Sequence, residues 1–254
     1  MEYKGQALQC RTLGNNITEL IFDLQDGSVN KFDRNSLHEL NEVVKQLEKD
    51  QSVKGLLISS GKDTFIVGAD INQFLGTFKE PMDKLVQWVK DSQKVFSNLE
   101  NLNIPIVCAI NGFALGGGFE LCLACTYRVA STEAKIGLPE VKLGLLPGFG
   151  GTARLPRLIG ADNAIEWIAG GKDNNPKNAL KAGAVDSVVE PEILRDASLD
   201  LLAKAIRGEL NWETKRKEKQ QPLMLNENEA MMTFETARAS VSYTHLTLPT
   251  NREV

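Results

Sequence analysis

Histidine is nearly absent: 254 residues contain only two, His38 and His245. A histidine-rich zinc or di-metal centre therefore has almost no ligands to draw on, and no metal site is expected. A Ser-His-Asp triad would have to recruit one of the two, and no G-x-S-x-G elbow occurs. No glycine run is followed by Lys-Ser or Lys-Thr, which excludes a Walker phosphate loop. The four cysteines are too few in a chain this long for a disulfide framework. Cys122-Leu123-Ala124-Cys125 is a lone C-x-x-C inside an apolar run, which reads as packing. Basic charge is not in excess, with 29 Lys and Arg against 33 Asp and Glu. No whole-molecule positive field invites nucleic acid or anionic membrane. The most apolar stretch, 104–125, is broken by Asn111, Glu120 and a glycine run, so it is not a membrane span. The opening MEYKGQALQCR has no apolar core of signal-peptide length. The expectation is a soluble, cytoplasmic protein.

What is present is enough for one large domain: 42% hydrophobic and 24% charged residues can bury a substantial core. β-like runs at 4–12 and 17–23 flank the turn residues Gly14-Asn15-Asn16. Leu37, Leu40, Val43, Val44 and Leu47 recur at helical spacing, with His38 on the exposed side. A strand is expected at 53–59, a helix after Pro81 and a strand at 104–110. The glycine run 116–118 and an apolar helix to about Cys125 follow. Further strands at 127–130 and 185–189 alternate with helices at 162–169, 176–182 and 193–206, the first capped by Asp162. This alternation gives an α/β class with helices covering the sheets. The run Glu213 to Lys219 reads as a solvated linker or exposed helix. Helical character returns at 227–239, and from Val241 no apolar periodicity continues it.

Two segments carry candidate chemistry. In Asn111-Gly112-Phe113-Ala114-Leu115-Gly116-Gly117-Gly118-Phe119-Glu120 a strand delivers the chain into glycines and then a helix start. Such a start presents unpaired N–H groups at the positive end of a helix, a place for a phosphate or a developing oxyanion. Glu120, on the first helical turn among apolar neighbours, is either a desolvated carboxylate for proton transfer or an exposed residue complementing the helix dipole. Downstream, Pro139-Glu140 lies in a Gly/Pro-punctuated apolar stretch. Glu140 is either the second carboxylate of an acid/base pair or a loop residue bonding nearby backbone. Gly148 to Ala153 also fits the loose G-x-G-x-x-A dinucleotide pattern, but no clean strand precedes it and no acidic residue follows at the right distance.

Asn111-Gly112 through Glu120, with Phe65-Ile66-Val67-Gly68-Ala69-Asp70-Ile71 upstream and Pro139-Glu140 downstream, resembles the enoyl-CoA hydratase/isomerase (crotonase) family. Ser28-Val29-Asn30-Lys31-Phe32-Asp33 and the stretch Gly148–Gly160 resemble more closely the N-terminal part of bacterial multifunctional fatty-acid oxidation alpha subunits. The likeness runs from about Tyr3 to about Ala239. It implies a crotonase-like spiral of ββα turns with a helical C-terminal extension. Residues 1–190 would form the core and 191–240 a helical extension leading to a dehydrogenase part that this sequence does not contain. Residues 241–254 stop resembling the family and are expected to be foreign.

The same resemblance implies hydration of 2-enoyl-CoA in fatty-acid β-oxidation, with 3-enoyl to 2-enoyl isomerisation. Glu120 and Glu140 would be catalytic, and the amides of Ala69 and Gly117 would form an oxyanion hole. Lys31, Gly68, Asp70, Ile71 and Gly116 would contact the substrate, with the CoA portion along the Ala69 loop and the Asn30-Lys31 region. CoA enters as part of the substrate, so no cofactor is implied; NAD would belong to the dehydrogenase part. The implied partners are an acyl-CoA, a thiolase (beta) subunit and, as an alternative assembly, further copies of the chain. Another crotonase-type acyl-CoA reaction and a non-catalytic acyl-CoA-binding module remain open alternatives. One departure is Phe119, where relatives often carry a small residue or Cys before the glutamate.

Overall fold

The computed structural model describes residues 1–77 and 79–245. The chain opens with β1 (Tyr3–Lys4), β2 (Leu8–Thr12) and β3 (Ile17–Phe22), joined in antiparallel fashion. The turn before β3 uses Asn15 and Asn16 at positive φ, a conformation asparagine tolerates better than most residues. The expected single strand 4–12 is broken in two at Gly5–Ala7. The cause is Glu39, whose buried carboxylate accepts from the amides of Gln6, Ala7 and Leu8 at 2.9–3.0 Å and turns the chain there.

Helix α1 (Arg34–Lys49) starts at a reciprocal cap: Asp33 accepts from the Ser36 amide and Ser36 Oγ accepts from the Asp33 amide. The helix leads to β4 (Gly55–Ser60), α2 (Ile71–Thr77), α3 (Met82–Glu100) and β5 (Ile106–Ile110). Then come β6 (Phe113–Leu115), α4 (Gly117–Ala124), β7 (Tyr127–Ser131) and β8 (Lys135–Gly137). A 3-10 turn over Pro139–Leu143 precedes α5 (Gly151–Ile159), α6 (Ala161–Gly170), α7 (Pro176–Ala182) and β9 (Ser187–Val189). Helices α8 (Leu194–Ile206), α9 (Trp212–Gln220) and α10 (Glu227–His245) complete the described chain. Among the described residues, no helix is long and apolar enough to cross a membrane.

The seven-stranded sheet runs β1-β2-β3-β4-β5-β7-β9, parallel from β3 onward. Period-two alternation feeds two cores. Leu56, Ile58, Ile106, Cys108 and Ile110 face the larger one, while Leu57, Val107, Ala109 and Val129 face a smaller one. A second ladder, formed by β6 and β8, is continued by the bridges Phe32–Ala69, Ile66–Ala114 and Ile136–Asn174. Each chain turn thus adds one strand to the large sheet, one short segment to the second ladder, and a helix. This is the expected spiral, and the second ladder is what brings 66–70, 113–117 and 135–140 side by side.

Leu194, Leu202 and Ala205 of α8 fill the smaller core, so this part of the expected helical extension packs directly on the sheet. Other expectations need correction. The run 213–219 is helical, but it is not all solvated: Lys219 is buried, and Arg216 reaches the Ile104 carbonyl. Asp162 does not cap α6. Gly160, at φ 86, breaks α5 from α6, and Asp162 falls in the first turn. Helix α5 itself escaped the sequence reading because Pro156 lies inside it. Helix α10 continues through His245, since no glycine or proline interrupts 227–245 and propagation needs only one further bond per residue. The rest of the expected foreign tail, 246–254, lies outside the described residues.

Replacing Glu39 with Ala leaves three backbone amides of the 5–8 turn without their acceptor. A buried donor stripped of its partner costs about 1–3 kcal/mol. Urea unfolding of E39A is expected to show a loss of about 3 kcal/mol or more; a loss below about 1 kcal/mol would contradict the role assigned to this carboxylate.

Candidate active site

Helix α4 is buried along its whole length, from Gly117 to Ala124. Its glycines make that possible. A Cβ on Gly118 would lie 2.1 Å from the Ile66 carbonyl oxygen, so only glycine lets the helix start press against the 66–70 segment. Gly116 precedes the helix at φ 53, in a region that excludes most side chains, and a Cβ there would also meet Glu140 Oε1 at 3.2 Å. These positions bring the helix start, the 66–70 loop and the 139–143 turn around one cavity of about 450 Å³.

Gly68, Ala69, Ile71, Gly116, Gly117, Glu120 and Glu140 all line that cavity. Phe32 N–H donates to Gly68 O at 2.8 Å, and Asp70 N–H donates to Phe32 O at 2.7 Å. The N–H and C=O of Ala69 itself therefore point away from Phe32, and Ala69 lines the cavity. Gly117 is the first residue of α4, where an amide has no acceptor within the helix. Two backbone donors from adjacent turns of the spiral thus border one space.

Lys31 and Asp70 do not line the cavity. They pair with each other at 2.7 Å, and that bond holds the Asp70 carboxyl below the usual carboxylate range. Asp70 Oδ1 also accepts from the Asn72 and Gln73 amides at the start of α2. Asn30 is buried and bonds Leu24, Phe22, Ser60 and Phe65, which makes it a structural hub of this region. Phe119 packs its ring 6.2 Å from that of Trp167 on α6.

Glu120 is 1% exposed, so it is a desolvated carboxyl and not an exposed one at the helix start. Its Oε1 accepts from the Phe149 amide at 2.8 Å and the Gly151 amide at 2.7 Å, so a proton on this carboxyl belongs on Oε2. Burial, and then the charge of Glu140, push its pKa up to about 8 despite those two bonds. Burial raises Glu140 to about 6, and its buried Oε2 has no hydrogen-bond partner among the described residues. Between these values the pair holds one proton, so an acid and a base coexist at neutral pH.

Nothing in the residue pattern of Gly148–Gly151 pointed to a partnership with Glu120. The loose dinucleotide pattern there is instead a turn that aims two amides at a carboxylate, with Gly150 at φ 111. The apolar wall from Trp88, Leu85 and Val89 of α3, together with Leu146, was also missed. Their helical spacing was visible, but the sequence could not show which face of α3 meets the site.

The raised carboxyls have a sign consequence. The folded state binds the Glu120 proton more tightly than the unfolded chain, so this group's contribution to stability is fully present below about pH 4.5 and is lost as pH rises to about 8. Glu140 adds a smaller slope of the same sign up to about pH 6. E120Q keeps an oxygen for the two amides but cannot ionise. Denaturant unfolding from pH 5 to 8 is expected to show that this variant loses most of the wild-type decline; an unchanged decline would contradict the buried, protonated state.

With this geometry in place, comparison with known proteins is informative. The enoyl-CoA hydratase/isomerase family pattern matches residues 15–242. The chain is 56% identical over 242 residues to the fatty acid oxidation complex subunit alpha of Pseudomonas entomophila, an alignment covering 95% of this chain and 34% of that protein. It therefore spans about a third of the length of the curated relatives it matches. The crystal structure of the enoyl-CoA hydratase from Bacillus anthracis superposes with a TM-score of 0.74 at 26% identity, covering 94% of this chain and 92% of that one. The Geobacillus kaustophilus enoyl-CoA hydratase gives 0.78 at 26% identity, covering 95% and 90%. Family pattern, relatives and spiral fold agree, and the chain belongs to the enoyl-CoA hydratase/isomerase family.

Proposed function

We propose that this site adds water across the C2=C3 bond of a 2-enoyl-CoA thioester. The observation that carries the reading is a buried carboxyl beside a half-buried one, both raised, on one cavity that Ala69 and the helix-start residue Gly117 also line. The thioester carbonyl oxygen lies against the amides of Ala69 and Gly117. Water held between Glu120 and Glu140 loses a proton to the ionised carboxylate as its oxygen bonds C3. The π electrons move to C2 and the carbonyl oxygen, giving an enolate that the two N–H groups stabilise. The protonated carboxyl then delivers its proton to C2. One proton is taken up and one given, so the pair ends with the single proton it began with. One such aimed donor is worth about 3–4 kcal/mol in the transition state.

Isomerisation of a 3-enoyl-CoA uses the same enolate. A carboxylate removes a proton from C2, the double bond shifts, and a proton returns at C4. The apolar wall of Trp88, Leu85, Val89 and Leu146 suits an acyl chain. The relatives' name, a subunit of a fatty acid oxidation complex, supports a place in β-oxidation and an assembly with further subunits, for which we propose a thiolase subunit and a cytoplasmic setting.

The test is the loss of conjugated enoyl-thioester absorbance when the protein meets a 2-enoyl-CoA. Wild type is expected to hydrate it. E120Q and E140Q are each expected to fall by about 10²–10⁴-fold in kcat, the usual contribution of a positioned acid or base. A folded wild type with no hydration, or a glutamine variant with full activity, would overturn the reading.

A further inference from the structure

Glu120 is gripped not by its own helix but by the amides of Phe149 and Gly151, so its position depends on whatever fixes the 148–151 turn. Two things do. The Phe149 ring is packed against Phe96, Trp88 and Phe32, with centroids at 5.3, 5.8 and 6.2 Å. From the other side the Arg154 guanidinium donates from Nη1 to the Phe149 carbonyl at 3.0 Å. Gly150 makes room for it, since a Cβ there would stand 2.0 Å from Arg154 Nη1.

Arg154 is itself 9% exposed and held by its remaining donors. Nε donates to Glu100 Oε2 at 2.7 Å, and Nη2 donates to Ser97 Oγ at 3.2 Å, both on α3. The other Glu100 oxygen lies 3.2 Å from Lys219 Nζ of α9. Lys219 in turn donates at 2.7 Å to the Leu123 and Cys125 carbonyls, at the end of the helix whose first turn carries Glu120. The contacts close a circuit: Glu120, the 148–151 turn, Arg154, Glu100, Lys219, and back to α4. A buried ionic chain of this kind adds little net stability over an apolar packing of equal volume. Its value lies in geometry.

We propose that Arg154, backed by Glu100 and Lys219, is a positioning residue that holds the 148–151 turn so that two amides fix Glu120 for proton transfer. This rests on the hydratase reading of the same site. The spacing from Gly148 to Arg154, which the loose dinucleotide pattern leaves unexplained, is then one device: a turn, the glycine that lets a guanidinium through, and the guanidinium.

The charged groups facing Glu120 are Glu140 on the 139–143 turn and Arg154 on α5. Behind Arg154 stand Glu100 of α3 and Lys219 of α9, and Arg128 of β7 adjoins Lys219. Removing Arg154 takes away a positive charge and loosens the amide bonds, and both changes favour a protonated Glu120. The upper limb of the pH–activity profile should therefore move to higher pH.

The experiment compares wild type, R154M and R154K in 2-enoyl-CoA hydration across pH 5 to 10. Infrared titration of the Glu120 carboxyl is run on the same samples. R154M is expected to lose about 10- to 100-fold in kcat, the scale of a misplaced catalytic group, with KM changed less than about threefold. Its upper limb and its Glu120 titration should both rise. R154K, which keeps the charge without the fork, should recover the limb more than the kcat. A folded R154M with wild-type kcat, or one whose kcat falls while limb and titration stay fixed, overturns the inference. If R154M does not fold, R154K with wild-type kcat does the same. If wild type itself fails to hydrate, the hydratase reading fails, and the Glu120 titration alone decides the positioning claim.

Discussion

A carboxylate placed on the first turn of a wholly buried helix is costly, and much of this structure is arranged around that cost. Glu120 is shut away from bulk solvent, so it draws amides from a distant turn, and it lies beside a second carboxyl whose charge acts on it. Desolvation wins over the two N–H bonds, and a proton stays near neutral pH where an exposed glutamate would have lost it. The other end of the same helix carries the opposite problem, unpaired carbonyls. Fully buried Arg128 and buried Lys219 answer it by donating to Cys122, Leu123 and Cys125. Cations at one end and acids at the other follow the sense of the helix dipole.

The spiral supplies the rest. Each turn places one strand in the large sheet and one segment in the second ladder. Residues far apart in sequence, at 69, 117 and 140, therefore arrive on neighbouring rungs. The cavity lies where these rungs end and α4 begins. The proposed oxyanion donors, acid and base are backbone or short-reach groups on such rigid elements, which suits chemistry that depends on aim. An apolar wall from α3 closes one side.

Much of this was legible in the sequence because the glycines are so constrained. A strand running into Gly116-Gly117-Gly118 and then Glu120 has few uses, and Gly118 is indeed the contact against Ile66 that lets the helix sit where it does. Helical and strand periodicity located most elements, and the buried cysteines read as packing are packing. What could not be read were partnerships set by the third dimension. The pairing of Lys31, an expected substrate contact, with Asp70 is one of them. The run 213–219 looked solvated because six of its seven side chains are charged, and composition does not tell which of them turns inward. Lys219 does, and it lies against α4. Gly148–Ala153 matched a nucleotide pattern for the wrong reason: glycines permit a turn, but only packing decides what its amides hold.

The site depends on a single proton shared by Glu120 and Glu140 at neutral pH. The infrared carbonyl stretch of protonated carboxyls, followed from pH 5 to 10 in wild type and subtracted against E120Q, reads that proton. A protonated-carboxyl band is expected at pH 7, lost as pH passes about 8 and missing from E120Q. A difference spectrum with no such band at pH 7, titrating instead in the ordinary carboxylate range, would contradict the shared proton.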